Sequence, residues 1–275
     1  MKLSPLPNCL SAAVLFSVLA ATPAFSGTLF EEAFNYPNGN LADNQGGTGS
    51  AAAWSGGGDS WTVSSGVATV KGSGGSTSTL AINPVSAATT STFYFSLDLS
   101  VLEASAINSL NDALVFQMYN GTSNVDVFGI GIAYSYSGTT GETTVSARST
   151  INGGTYGNFT PVIGETNTIV GKFTFTAGAA NATLSLWWNP VNESSATFRT
   201  FTLTTPTSVD NISRLLLRRQ ATGAGNGADV STAFDNIRIG TDWASATTPI
   251  PEPGTYAVVS GALILGVVVW MRRRR

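Results

Sequence analysis

The sequence predicts an all-β body, an antiparallel sandwich of two sheets in the manner of a jelly roll, and three observations lead to this prediction. Short segments that alternate apolar and polar residues recur along the chain, as between Phe95 and Val101. Clusters of Gly, Asn, Ser and Thr separate these segments at short intervals. No stretch of the body keeps a helical period, and no unit repeats at a fixed length, which argues against a solenoid or a propeller.

The strands are predicted in chain order. The first covers 28–34, and a hairpin joins 61–63 to 67–71 through Ser64-Ser65-Gly66. The segment 35–58 is predicted to be irregular and 72–79 to be a turn, because both are rich in small polar residues and glycine. The remaining predicted strands are 93–101, 114–119, 125–134, 143–148, 168–175, 182–188, 197–203, 212–218 and 233–239.

The first 26 residues are predicted to be a signal peptide. Lys2 precedes an apolar region at 12–21, and the small residues of Ala24-Phe25-Ser26 suit a cleavage site. The one cysteine, Cys9, lies inside this segment, so the exported chain is predicted to have no disulfide. We expect one β domain over 27–243 and a Ser/Thr/Ala-rich linker over 244–250.

Residues 251–275 are predicted to be a targeting segment with a transmembrane helix at 256–271. Pro251 and Pro253 flank Glu252 and prevent a helix from entering this segment from upstream. The apolar run that follows is shorter than the roughly 20 residues of a usual span. The cluster of arginines after it is expected to stay in the cytoplasm, which places the body outside. These arginines are Arg272, Arg273, Arg274 and Arg275.

Taken in order, the Pro-Glu-Pro motif, the apolar segment and the arginine cluster resemble the PEP-CTERM protein-sorting signal of Gram-negative bacteria. The resemblance implies that exosortase, an integral-membrane enzyme, reads this tail and cuts it near Pro251–Pro253. It further implies export, a transient stay in the membrane and release to the cell surface or the extracellular matrix. The export machinery, exosortase and an exopolysaccharide are therefore the expected partners.

Two further segments resemble concanavalin-A-like (laminin-G-like) domains. Ile169–Phe175 followed by Leu184–Pro190 is similar to a pair of adjacent strands in that family, and Ala233–Gly240 with Asp242-Trp243 is similar to its closing strand. The fold of the family is an antiparallel two-sheet jelly roll. This resemblance therefore implies the same fold that the strand pattern predicts.

Composition restricts the chemistry of the body. The chain has no histidine, and its formal net charge is −3 even though four arginines stand together at 272–275. An acidic surface of this kind argues against nucleic acid as a partner. The paired carboxylates of a retaining glycosidase would need a Glu-x-Asp-x-x-Glu pattern, which is absent; Glu31 and Glu32 are adjacent and should face opposite sides of a strand. The body is therefore expected not to be an enzyme, but a structural or glycan-adhesive surface protein.

A carbohydrate-binding module is the alternative function, and a glycan-active enzyme is a more distant one. Of Trp187 and Trp188, one ring should point outward, where it is a candidate for stacking on a sugar. Arg214 and Arg218 should share one face of their strand. No cofactor is expected; calcium is the candidate metal, with oxygen ligands from Asp235, Asn236 and Asp242.

Overall fold

The computed structural model describes the body and little of the two ends. The described residues are 27–56, 61–71, 76–86, 92–103, 110–120, 123–136, 143–151, 154–159, 162, 164–175, 181–197, 199–204, 211–219, 231–248 and 270. Between 103 and 161 only the backbone and its pairing are described. The predicted signal peptide and nearly all of the predicted sorting segment lie outside these residues. Within them, no helix has both the length and the apolar character that a membrane crossing requires.

The described chain consists of sixteen strands and one short helix. Most predicted strands are confirmed, with ends that differ by a few residues. The elements are β1 Thr28–Glu32, β2 Gly39–Asn40, β3 Ser55–Gly56, β4 Trp61–Ser64, β5 Val67–Lys71, β6 Ser76–Ser86, β7 Thr92–Glu103, β8 Leu110–Asn120, β9 Ser123–Tyr136, β10 Thr143–Ile151, β11 Gly154–Phe159, β12 Thr166–Thr174, β13 Asn181–Trp188, β14 Arg199–Thr204, β15 Asn211–Arg219, β16 Ser231–Gly240 and α1 Trp243–Thr247.

The strands form two antiparallel sheets. The nine-stranded sheet has the order β14-β13-β12-β7-β16-β5-β4-β2, and β1 pairs with β16 beyond the end of β5. The seven-stranded sheet has the order β11-β10-β9-β8-β15-β6-β3. The prediction of an all-β antiparallel sandwich is confirmed by this arrangement. The predicted β4–β5 hairpin is confirmed too, as is the pairing of β12 with β13.

The hydrophobic core lies between the two sheets. Strand β12 alternates exposed and buried residues, and cross-strand pairing places Gly171 opposite Phe95 of β7. A side chain at 171 would lie only 2.0 Å from the Phe95 ring, so glycine lets that ring lie across the neighbouring strand. Large buried residues contributed by both sheets fill the core, among them Trp54, Trp61, Phe93, Phe95, Phe173, Phe234, Leu80, Leu215 and Leu217.

Five elements differ from the sequence-based prediction, and one of them, β11, lies where no strand was predicted. Strand β6 includes part of the predicted turn 72–79, because burial of Leu80 and Ile82 between the sheets outweighs the weak strand preference of its Ser- and Thr-rich start. Strands β2 and β3 lie in the segment predicted to be irregular, and each makes only a two-residue pairing. Helix α1 occupies the beginning of the predicted linker 244–250.

The carboxylate of Glu32 is buried and holds the loop that follows β1. Its side chain points toward the core, whereas that of Glu31 points outward, as the sequence predicts. Glu32 Oε1 accepts a hydrogen bond from the Phe34 backbone N–H at 2.7 Å, and Oε2 accepts from Gly47 N–H and Trp54 Nε1, each at 3.0 Å. The hydroxyl of Tyr36 also donates to Oε2. A residue only 1% exposed therefore has donors for both of its oxygens.

The hydrogen bonds to Glu32 support two features of the loop, a strained residue and a close backbone approach. Phe34 has a φ of +49°, which is uncommon for a bulky residue, and its buried ring stacks on Trp54 with centroids 6.0 Å apart. Gly47 lies so close to β1 that a Cβ there would be 1.9 Å from the Glu31 carbonyl oxygen. Burial, together with the bond to Glu32, raises the pKa of Tyr36, so its hydroxyl remains a donor.

We predict that Glu32→Gln lowers the free energy of unfolding by about 2 kcal/mol or more, because an amide nitrogen cannot accept the hydrogen bonds that one carboxylate oxygen receives. Thermal melts followed by circular dichroism measure the change. Glu165→Gln, at an exposed position, is the matched control and should leave the melting temperature unchanged. Equal melting temperatures for the two variants would contradict the role given to Glu32.

Candidate functional site

The predicted site residues fall into two groups. Pro251, Glu252, Pro253 and the arginines 272–275 lie outside the described residues, so their roles stay predictions. Most of the remaining candidates lie on the outer faces of the two sheets, whereas Trp188 packs against the core and Asp242 caps α1.

Trp187 and Trp188 face opposite sides of β13, as their positions in the sequence predict. Trp188 packs partly buried against the core. Trp187 points to the outer face of the nine-stranded sheet but is only 4% exposed, and its Nε1 donates to the Ser195 carbonyl at 3.0 Å. Stacking on a glycan stays a prediction for these rings, and their burial leaves little of either ring for a sugar.

Helix α1 covers Trp187 and places another tryptophan at the surface. Trp243, the first residue of α1, contacts Trp187 edge to face with centroids 5.3 Å apart. It makes a second edge-to-face contact with Tyr94 of β7 at 6.3 Å. Trp243 itself remains partly exposed.

The position of α1 is fixed at both ends. Asp242 caps its start: Oδ1 accepts from Ser245 N–H at 2.7 Å, and Ser245 Oγ accepts from Asp242 N–H at 3.2 Å. Ser96 of β7 donates to the carbonyl of Ala246, which is fully buried. A five-residue helix has little stability of its own, so these contacts hold it on the sheet.

Charged side chains lie beside this aromatic pair. Lys172 Nζ is 5.1 Å from the centroid of the Tyr94 ring and 3.4 Å from Glu193 Oε1. The Tyr94 hydroxyl donates to the same Glu193 oxygen at 2.6 Å. Burial and this hydrogen bond raise the pKa of Tyr94. We call Tyr94, Lys172, Trp187, Glu193 and Trp243 the aromatic patch.

Two carboxylates stand side by side further along the same face. Asp98 of β7 is the cross-strand partner of Asp235 of β16, and both accept hydrogen bonds from Asn236 Nδ2, at 2.8 and 3.2 Å. Asn236 is the extra residue of a β-bulge and has a φ of +51°. Arg238 donates to Asn236 Oδ1 at 3.2 Å and forms a largely buried ion pair with Glu31 at 2.9 Å.

The pKa of Asp235 is raised to about 6, chiefly because burial disfavours its charged form, and the neighbouring charge of Asp98 adds to the effect. The hydrogen bond from the Asn236 backbone and the charge of Arg238 act in the opposite direction. Asp235 therefore takes up a proton at a higher pH than an ordinary aspartate carboxyl does.

The predicted calcium ligands do not meet. Asp235 and Asn236 bond to each other, whereas Asp242 is used as the cap of α1. In the part of the chain that the structure describes, no cluster of three or more acidic, His or Cys side chains is placed to hold a metal ion. The geometry therefore does not favour calcium at these residues.

The outer face of the seven-stranded sheet carries the arginines. Leu215 and Leu217 of β15 are fully buried in the core, so Arg214, Leu216 and Arg218 lie on the opposite side, as predicted. Thr79 and Thr77 of β6 are the cross-strand partners of Leu216 and Arg218. Leu216 is only 6% exposed, so neighbouring side chains lie over it. We call Arg214, Leu216, Arg218, Thr77 and Thr79 the arginine face.

Further polar residues continue this row by backbone register. Position 214 pairs with Gln117 of β8, and Gln117 pairs with Asp126 of β9. The sequence indicates that the two arginines of β15 share one face. It does not indicate that Gln117 and Asp126 lie in the row of position 214, because the strands that carry them are distant from β15 in the chain.

Comparison with solved structures shows the fold. An alginate lyase, Aly36B, in a mutant complex with alginate trisaccharide, aligns with a TM-score of 0.51 and 14% identity over 77% of this chain and 97% of its own. An alginate lyase from Aplysia kurodai has a TM-score of 0.41 and 13% identity, over 66% and 87%. A Trypanosoma rangeli sialidase has a TM-score of 0.45 and 10% identity, over 80% of this chain and only 32% of its own. No family model matches the sequence, and no curated protein matches it.

These likenesses correct one prediction. The expectation that the body is not an enzyme is wrong as a conclusion from the sequence, because a glycan-active enzyme shares this scaffold over nearly its whole length. The absence of histidine and of a Glu-x-Asp-x-x-Glu pattern excludes particular site designs but does not exclude catalysis on this fold.

We predict that Asp235→Asn removes a pH-dependent part of the stability. A folded pKa of about 6, above the ordinary 3.8, means that protonation favours the folded state. This contribution is complete below about pH 4 and is lost as the pH rises through about 6. The variant should therefore be more stable than the native protein at about pH 8, by about 1 kcal/mol once solvent screening of a half-buried group is allowed for, and should lose the advantage at about pH 4.

Urea titrations at both pH values measure this difference. Asp43→Asn, at an exposed carboxylate, is the control and should leave the pH profile unchanged. Parallel profiles for the native protein and Asp235→Asn would contradict the assignment.

Proposed function

We propose that the body is a glycan-recognition domain that holds an acidic polysaccharide on the arginine face. The observation that carries this proposal is the placement of Arg214 and Arg218 on the outer side of a strand in the interior of the sheet. The chain is acidic as a whole, so two arginines at one place on a broad sheet mark a local site rather than a general surface property.

The chemistry of these side chains suits uronate carboxylates. A guanidinium presents five N–H donors in a planar fork that matches a carboxylate. It can therefore donate hydrogen bonds to a partner within the chain and to a ligand at the same time. Arg214 and Arg218 each interact with other residues of the chain, which orients them before a ligand arrives. The hydroxyl of Thr77 is the one offered to the hydroxyl groups of a sugar, because Thr79 Oγ1 already hydrogen-bonds Ser55 of β3.

The solved relative with the TM-score of 0.51 supports the choice of ligand. Its structure contains an alginate trisaccharide, and alginate is a chain of uronates. The sheet that would bind such a chain is built here from seven strands, which gives it the breadth to contact several sugar units.

A glycan-active enzyme is the second candidate function. It is favoured by the extent of the fold likeness, which spans 97% of an alginate lyase. Since this chain has no histidine, proton transfer would fall to tyrosine, lysine or carboxylate side chains.

The protein reaches its glycan, we further propose, through export and sorting. The predicted signal peptide 1–26 directs the chain across the membrane, and the segment 251–275 delays it there until exosortase cuts near Pro251–Pro253. The body is then released to the cell surface or the extracellular matrix, where exopolysaccharide is available to the arginine face.

We predict that Arg214→Ala and Arg218→Ala each weaken binding of an alginate hexasaccharide at least tenfold, because each removes charge-assisted hydrogen bonds worth about 1.5–3 kcal/mol. Isothermal titration calorimetry on the full-length protein in detergent measures the affinity. Arg199→Ala, an exposed arginine on an edge strand of the other sheet, is the matched control and should bind like the native protein. Absence of binding by the native protein, or equal losses in all three variants, would refute the arginine face.

The same samples test the second candidate function. Incubation with polymeric alginate, followed by detection of unsaturated uronate ends, reports lyase turnover. Turnover that Arg214→Ala abolishes would make the arginine face an active site, whereas binding without turnover leaves recognition as the function.

We predict that the protein recovered from the cell surface ends near Pro251–Pro253 and lacks the apolar segment. Replacement of Pro251-Glu252-Pro253 by alanines should trap the full-length chain in the inner membrane, since the extended segment that a protease groove binds is lost. Mass spectrometry of the C-terminal peptide decides between the two forms. Surface protein that still ends in Arg272 to Arg275 would identify a plain membrane anchor.

A further inference from the structure

We propose that the aromatic patch is a second carbohydrate subsite, on the outer face of the nine-stranded sheet, and that it takes a neutral sugar unit through Trp243. This site is independent of the arginine face, which lies on the other sheet. Three observations carry the proposal: the partial exposure of Trp243, the contacts that hold it, and the charged pair beside Tyr94, which Trp243 contacts.

The first observation concerns which tryptophan reaches the surface. Trp187 occupies the outward position on β13, but it is 4% exposed and lies against Trp243. Within the aromatic patch, the tryptophan that is partly exposed is therefore Trp243. An indole offers a large apolar surface of defined shape, which is what the C–H groups of a pyranose contact when a sugar stacks.

The second observation is that Trp243 is already ordered. The Trp243 ring makes edge-to-face contacts with Trp187 and Tyr94. Asp242 caps the start of α1, and the Thr247 hydroxyl donates to the Trp243 carbonyl at 2.9 Å. A ring that is fixed before binding loses little conformational entropy when a ligand arrives.

The third observation selects the kind of sugar. Lys172 and Glu193 form an ion pair at 3.4 Å next to Tyr94, and their side chains are 37% and 46% exposed. The pair offers N–H donors and carboxylate acceptors together, which suits the hydroxyl groups of a sugar. Its charges balance, so it provides no net attraction for a uronate. A neutral hexose unit is therefore the expected ligand, in contrast to the acidic units expected at the arginine face.

The experiment titrates the full-length protein with two neutral probes, cellohexaose and maltohexaose, and with an alginate hexasaccharide. Intrinsic tryptophan fluorescence and calorimetry report binding. We expect at least one neutral probe to bind, with Trp243→Ala weakening it about tenfold, Trp243→Phe retaining part of the affinity and Lys172→Ala weakening it several-fold. Alginate binding should be unchanged in these variants.

Arg214→Ala is the matched control: it should leave binding of the neutral probe intact, so failure of this subsite and failure of the arginine face give different results. If Trp243→Ala lowers the melting temperature so far that it cannot be titrated, Trp243→Phe and Lys172→Ala decide. The proposal is overturned if neither neutral probe binds at millimolar concentration, or if these two variants bind the neutral probe as the native protein does.

Discussion

The edge of the sandwich depends on one buried carboxylate. Glu32 receives hydrogen bonds from Phe34, Gly47 and Trp54. These bonds fix the loop after β1, a segment rich in small polar residues and glycine. That loop contains β2, which pairs within the nine-stranded sheet, and β3, which pairs within the seven-stranded sheet. A single side chain therefore ties the two sheets together at this edge, and the energy of its hydrogen bonds offsets the strain at Phe34 and the cost of burying a charge.

The sandwich then presents two outer faces with different chemistry. The nine-stranded sheet carries the aromatic patch and the row of Asp98 and Asp235, where acidic and basic groups are bonded to one another. The seven-stranded sheet carries the arginine face. Because strand residues alternate between core and surface, the same strands that build the hydrophobic interior also determine both faces. The two proposed sites would therefore bind two kinds of sugar on opposite sides of the sandwich.

Alternation along single strands made much of the fold predictable. This alternation predicted strands β7, β12, β13 and β15. It also predicted the opposite orientations of Glu31 and Glu32 and the shared face of Arg214 and Arg218. What depends on pairing between distant strands could not be predicted. The neighbouring positions of Asp98 and Asp235 follow from the β7–β16 pairing. The partly exposed tryptophan of the aromatic patch is Trp243 instead of Trp187, because a helix in the predicted linker folds back on the sheet. Neither that helix nor its cap by Asp242 was predicted, because the segment was interpreted as a linker and Asp242 as a calcium ligand.

The most direct test of glycan recognition on this scaffold is a crystal structure of the full-length protein with a bound alginate oligosaccharide. We expect the sugar chain to lie across the seven-stranded sheet, with uronate carboxylates against the guanidinium groups of Arg214 and Arg218. A uronate chain bound to the nine-stranded sheet, or to an edge of the sandwich away from both arginines, would contradict it.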